Sequence, residues 1–212
     1  LEGKKNMVHA LNNINLKIDD RETVAIIGES GAGKSTLLHI MSCIDNFDGE
    51  YYLDNIDINK LSESKKSKLR SSKIGIVLQD IALLDDFTDF ENVMTPLYFN
   101  KKIKDKKGSV MRALKKTGIA TLKSKKVSQL SGGQKQRVAI SRALVTSPEY
   151  IFADEPTGSL DSKTSDEIIK MLFELNSNGI TIVIVTHNLE IANQCHHIIE
   201  IKDGNIIKDI CS

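Results

Sequence analysis

The chain has 212 residues, enough for one large domain or a domain with a sub-domain and enough to bury a core. Its 29 Lys and Arg balance 28 Asp and Glu, so a net charge of +1 gives no global attraction to nucleic acid or anionic lipid. Three separated cysteines (Cys43, Cys195, Cys211) with no CxxC pair argue against a disulfide framework or a zinc knuckle and fit a reducing cytosol. No apolar run approaches the ~20 residues of a membrane span. The polar start "LEGKKNMVHALNN" does not read as a signal peptide.

In chain order, "ALNNINLKI" (10–18) alternates apolar and polar residues, as a half-buried strand does. "ETVAIIG" (22–28) reads as a buried strand ending in glycine. "KSTLLHIMSCI" (34–44) spaces Leu37, Leu38, Met41 and Ile44 as one helix face. "GEYYLDNIDIN" (49–59) predicts a hairpin turning at Asp54-Asn55, followed by a polar helix (62–72) and the buried strand "KIGIVLQD" (73–80). From 81 to 146 the β-branched strands disappear. "DFENVMTPLYFN" and "GSVMRALKKTGI" look helical, and lysines cluster at 101–107 and 123–126. We read 81–146 as a helical sub-domain inserted into an α/β core formed by 1–80 and 147–212. The lysine runs read as solvated faces in preference to lipid contacts. The strand "YIFAD" (150–154) reopens the core. A helix (162–176), the strand "ITIVIVT", a short helix and a hairpin turning at Asp203-Gly204 complete it.

Strand, glycine loop and helix are the order that a phosphate loop requires. "GESGAGKST" supplies it as Gly28, Glu29, Ser30, Gly31, Ala32, Gly33, Lys34, Ser35 and Thr36. Bare N–H groups and the positive end of the following helix suit phosphate oxygens. Lys34 is expected to reach the β and γ phosphates and Ser35 to ligate Mg2+. "YIFADEP" ends a strand in two acids at the carboxyl edge of the sheet, where α/β proteins bind ligands. Asp154 is expected in the magnesium shell, and Glu155, aimed elsewhere, as the group poising a water for attack.

A second glycine-rich stretch, "LSGGQKQR" (130–137), opens another helix. With "VLQD", "GSLD" (158–161) and "VTHN" in the same order, it makes the chain resemble the nucleotide-binding subunit of ATP-binding cassette (ABC) transporters over nearly all of its length. The flanks "HALNNINL", "QKQRVAISRAL" and "PTGSLDSKT" are similar to the branch serving lipoprotein-release, macrolide-efflux, cell-division and antimicrobial-peptide permeases. The resemblance implies a P-loop NTPase core, a mostly parallel sheet with an antiparallel part, carrying the helical sub-domain. It implies ATP and Mg2+ as ligands, Gln79 at the metal or attacking water, and His187 at the γ-phosphate and Glu155.

It also implies that Ser131, Gly132, Gly133 and Gln134, with Asp161, face the nucleotide of a second copy, so that two chains bury two ATP molecules. The partner implied is an integral-membrane permease, which would hold the chain at the cytoplasmic face of the membrane. Ser131 and its glycines offer a hydroxyl, free N–H groups and a helix dipole, which make an anion site. His9, His39, His196 and His197 have no motif context and are taken as structural.

Three departures stand out. No aromatic residue precedes Phe47, so the adenine-stacking residue and first strand of the family are expected upstream of Leu1. The linker "IATLKSKKVSQ" is short for the branch, and "ISRAL" replaces the commoner "IARAL". Two rival readings fit less well. A soluble DNA-repair or translation ATPase of the same family would carry coiled-coil or zinc insertions or a second cassette. A non-hydrolysing ATP clamp would lack catalytic positions that are present here.

Overall fold

The computed structural model describes residues 10–211. The strands are β1 (Thr23–Ile27), β2 (Tyr52–Leu53), β3 (Ile56–Asp57), β4 (Ile74–Val77), β5 (Tyr150–Asp154), β6 (Thr181–Val185), β7 (His197–Lys202) and β8 (Asn205–Cys211). The helices are α1 (Lys34–Met41), α2 (Glu63–Lys73), α3 (Asp89–Phe99), α4 (Lys106–Lys116), α5 (Gly132–Leu144), α6 (Ser162–Ser177) and α7 (Leu189–Ala192). Among the described residues, six strands form one sheet in the order β4-β5-β6-β1-β7-β8, parallel except for the last pair.

The strands are β-branched runs buried on both faces, as parallel strands under helices must be. Alternation divides them. Ile182 and Ile184 of β6 join the core under α3–α6, while Val183 and Val185 join the core under α1, α2 and the β2–β3 hairpin. Both expected turns occur with positive φ at both central residues, at Asp54-Asn55 and at Asp203-Gly204, which suits tight hairpins.

The strand expected at 10–18 does not form among the described residues. Its periodicity is real, because Leu11, Ile14, Leu16 and Ile18 are half-buried against the α1-side core. Among the described residues no strand pairs with it, and its one backbone bond there runs from the Asn12 N–H to the Gly204 carbonyl. Helix α1 stops at Met41, short of the expected Ile44, because Cys43 turns into the left-handed region. His9 and the polar start lie outside the described residues.

The stretch 81–146 carries helices and no strand of the sheet. Helix α3 opens with a Thr88–Glu91 capping box and tolerates an internal Pro96. Proline cannot bond the carbonyl four residues back, that of Asn92, and the Thr95 hydroxyl donates to it at 2.8 Å instead. Asn92 is itself fully buried. Its side chain accepts from the Leu84 N–H (2.8 Å) and donates to the carbonyls of Leu84 (3.0 Å) and Thr88 (3.1 Å), folding the 84–88 loop onto the helix.

One side chain in α3 sits against the grain. Asp89 is fully buried and neither carboxylate oxygen has a partner. Burial pushes its pKa up to about 6, with Lys125 opposing. Between the ordinary carboxylate value of ~3.9 and pH 6, the folded chain holds a proton that the unfolded chain releases. Stability is therefore gained as pH falls through that window and lost above it. Asp89→Asn is expected to raise the unfolding free energy at pH 8 by about 1–3 kcal/mol and to gain little at pH 4.5. Urea denaturation at both pH values measures this, and equal effects at the two would contradict it.

Candidate active site

The parallel ladder delivers four expected site segments to one edge. The phosphate loop follows β1, Gln79 lies two residues past β4, Asp154 ends β5 and His187 lies two residues past β6. Pairing fixes the order across that edge: Asp154 lies opposite Val185 of β6, and Val185 opposite Ile26 of β1.

The loop from Gly28 to Gly33 wraps the Lys34 side chain, whose Nζ donates to the carbonyls of Gly28 (2.9 Å) and Glu29 (2.8 Å). Glu29, Ser30, Gly31 and Ser35 are exposed, Thr36 is half-buried, and Ala32 is buried. The β7–β8 hairpin supports the loop from the side, through the Gly204 N–H on the Ala32 carbonyl at 3.1 Å. Gly28 has φ +148, and a Cβ there would stand 2.1 Å from the Ile201 carbonyl oxygen. The hairpin therefore admits only glycine at this position.

Asp154 is buried, and its Oδ1 has no hydrogen-bond partner. A buried, unsatisfied carboxylate oxygen is costly unless a cation or water answers it. The Asp154 carboxylate, the Ser35 hydroxyl and the Gln79 amide are all hard oxygen donors, the kind that Mg2+ takes. Glu155 adopts φ +43, a left-handed conformation uncommon outside glycine. Its N–H donates to the Val185 carbonyl (2.9 Å) and its carbonyl accepts from the Gly158 N–H (3.1 Å). The turn swings the side chain away from Asp154, and Glu155 Oε1 meets His187 Nδ1 at 2.9 Å. Gln79 and Glu155 line one recess together with Lys135 and Gly158.

The remaining expected residues gather elsewhere. Ser131 and Gln134 form a reciprocal capping box at the start of α5: the Gln134 N–H donates to Ser131 Oγ (3.3 Å) and the Ser131 N–H to Gln134 Oε1 (3.1 Å). The cap uses the Ser131 oxygen as acceptor and leaves its proton free to donate. Asp161 caps α6. Its carboxylate accepts from the hydroxyl of Thr164 (2.7 Å) and from its N–H (3.0 Å), which hold the acid below the usual carboxylate range. The two helix starts pack together, because a Cβ on Gly133 would lie 2.4 Å from the Thr164 methyl carbon. Among the described residues, no hydrogen bond joins 131–134 or Asp161 to the phosphate loop 28–36.

Arg142 was not legible as a functional residue. From the far end of α5 it donates to the carbonyls of Ile81 (2.9 Å) and Ala82 (2.6 Å), clamping the segment that follows Gln79, and burial lowers its pKa. In the sequence it is one more basic residue in an amphipathic helix. Its partners are backbone groups that no side-chain motif records.

An ABC transporter family model matches residues 11–158. The chain belongs to the ABC transporter family. It is an ATP-binding cassette of the ATPase type. It is 43% identical to an ABC transporter ATP-binding protein of Bacillus subtilis, YvrO, over 97% of this chain and 90% of that protein. It is 45% identical to the macrolide export ATP-binding/permease protein MacB of Mannheimia succiniciproducens, over 97% of this chain but 32% of that one, so the cassette spans about a third of such relatives. Among solved structures, it superposes on the dimeric post-hydrolysis ATP-binding cassette MJ0796 of Methanocaldococcus jannaschii, bound to ADP and Pi. That match has a TM-score of 0.90 and 40% identity, and covers 100% of this chain and 94% of that one.

The left-handed turn at Glu155 is testable in this cassette without any assay of activity. Glycine adopts φ +43 freely and alanine does not, so Glu155→Gly is expected to be more stable than Glu155→Ala by about 1 kcal/mol. That order reverses the usual one. Paired denaturant titrations would show it, and an alanine variant equal or superior in stability would remove the strain from the account.

Proposed function

We propose that the cassette hydrolyses Mg-ATP as a symmetric pair and drives an integral-membrane permease from the cytoplasmic face. The observation that carries this reading is the division of the site. Lys34, Asp154, Glu155 and His187 share one sheet edge, while Ser131–Gln134 and Asp161, among the described residues, make no hydrogen bond to the phosphate loop. A single copy thus holds two anion-binding segments with no hydrogen bond between them, and head-to-tail pairing of two copies would bring each to its complement. The MJ0796 cassette, solved as a dimer, supports this pairing.

In the proposed site, the loop N–H groups and Lys34 hold the β and γ phosphates. Lys34 gives up its carbonyl contacts to do so. Ser35, Gln79 and Asp154 would hold Mg2+, which would neutralise phosphate charge and align the oxygens for in-line displacement. Glu155 takes the proton of the attacking water, and His187, already on Glu155 Oε1, orients that carboxylate. Ser131 and the N–H groups of Gly132 and Gly133 from the second copy stabilise charge on the γ-phosphate, with Asp161 beside them.

The segment 81–146 is proposed as the unit that passes motion to the permease. Its face exposes Leu84, Phe87, Tyr98 and Phe99, at 48%, 44%, 66% and 80%. The lysine runs at 101–107 and 123–126 are largely exposed beside them, and Lys106 stacks over the Tyr98 ring at 5.5 Å. Exposed apolar side chains flanked by cations at both ends of α3 suit docking onto a membrane protein. Among the described residues, no helix is long and apolar enough to cross a membrane. Export of a macrolide-, peptide- or lipoprotein-like substrate is the transport role we favour, from the MacB relatives.

Three variants test the reading. Lys34→Ala is expected to abolish ATP binding by calorimetric titration. Glu155→Gln is expected to bind ATP, slow turnover by about 10²–10⁴-fold and accumulate as a dimer on size exclusion with Mg-ATP. A monomer with wild-type turnover would end its role as the base. Ser131→Arg is expected to abolish hydrolysis while leaving ATP binding to the monomer intact, and unchanged turnover would count against the paired site.

A further inference from the structure

At the opposite end of the sheet the register gathers another set of polar residues. His197 and Cys211 are direct partners across β7 and β8, so they share a face, and Asp209, two residues from Cys211, shares it too. Val24 of β1 lies opposite His197, and Glu22, two residues before Val24, comes to the same side. One ligand atom from each of Glu22, His197 and Cys211 lies within 4.8 Å of the others.

His197 is the centre of this group, and its side chain is 3% exposed. Nε2 meets Asp209 Oδ1 at 2.6 Å, and in a neutral ring this contact places the proton on Nε2. Nδ1 is 3.2 Å from Glu22 Oε1 yet has no hydrogen-bond partner. A nitrogen lone pair would then face a carboxylate oxygen inside the protein, an arrangement that repels unless a cation lies between them. The separation suits one, because two ligands bonded at about 2.0–2.2 Å in a tetrahedral shell stand about 3.3 Å apart. The nearby Lys17 is paired with Asp19 at 2.7 Å, and Glu22 Oε2 accepts from the Asp19 N–H at 2.9 Å, which leaves Oε1 toward His197.

We propose that Glu22, His197 and Cys211 form a site for a divalent cation of the zinc class, with Asp209 as the positioning residue behind the imidazole. Mixed nitrogen, oxygen and sulfur donors favour such an ion over Mg2+. A carboxylate on the second ring nitrogen is the usual outer support of a zinc-bound histidine. The exposed Cys211 thiol completes three protein ligands, and it loses its proton on coordination. The ion would tie the start of β1 to the open end of the β7–β8 hairpin, whose closed end bears on the phosphate loop. The two ends are separated by the length of β1, on the order of 16 Å. The site is therefore distinct from the nucleotide's Mg2+.

The test is cobalt titration of the full chain, stripped of metal and held in excess Mg2+. A thiolate-to-cobalt charge-transfer band saturating at one ion per chain, and displaced by Zn2+, is expected. Cys211→Ser, a change at an exposed position, should abolish the band although Cys43 and Cys195 remain. Asp209→Asn should weaken cobalt binding by about 10–100-fold. Asp154→Asn should leave the band unchanged. Absence of the band from the unaltered chain, or its survival in Cys211→Ser, overturns the site. Unchanged affinity in Asp209→Asn overturns the positioning role.

Discussion

Parallel pairing of β4, β5, β6 and β1 is the constraint on which the site depends. A parallel sheet sends the carboxyl end of every strand to one edge, and each strand here ends at or beside a residue of the proposed site. Asp154 has no need of a long loop to approach Lys34. The ladders that place Val185 between Asp154 and Ile26 put β5 and β1 one strand apart. Each strand contributes one step, which makes the geometry insensitive to the helices packed outside it.

Two places store the cost of this arrangement. Asp154 keeps an unanswered oxygen in the interior, and Glu155 keeps a backbone conformation that its side chain disfavours. Both sit at the end of β5, and the second follows from the first. With consecutive acids on a strand end, only a sharp turn can separate their directions, and the Val185 carbonyl holds that turn closed. Strain confined to one residue beside the proposed reacting atoms is a common pattern at functional sites.

Much of this was legible beforehand, for identifiable reasons. The strands around Ile26, Phe152 and Ile184 were readable because burial on both faces demands continuous β-branched runs. The hairpins were readable because Asp-Asn and Asp-Gly tolerate positive φ. The placement of the phosphate loop, Asp154, Glu155 and His187 at one sheet edge was readable because each lies within a short local motif. The strand expected at 10–18 is not formed among the described residues, because alternation reports burial on one side, whereas a strand also requires a neighbour to bond, and none is present among them. Asn92 and Arg142 were not readable because they act on backbone carbonyls in segments distant in the chain. The group around His197 was not readable because its members, at 22, 197, 209 and 211, meet only through register. The absence of a CxxC pair excludes one arrangement of cysteine and says nothing of that one.

The clamp from Arg142 to the carbonyls of Ile81 and Ala82 has a consequence for how such chains diverge. A guanidinium bonded to main-chain oxygens is indifferent to the side chains those oxygens belong to. Residues 81 and 82 can drift without loss of the contact, whereas no shorter or uncharged residue at 142 reaches both carbonyls. Among descendants of this chain, position 142 should stay arginine while the pair it holds changes freely. A comparison seeking matched substitutions would see no partner for it at all.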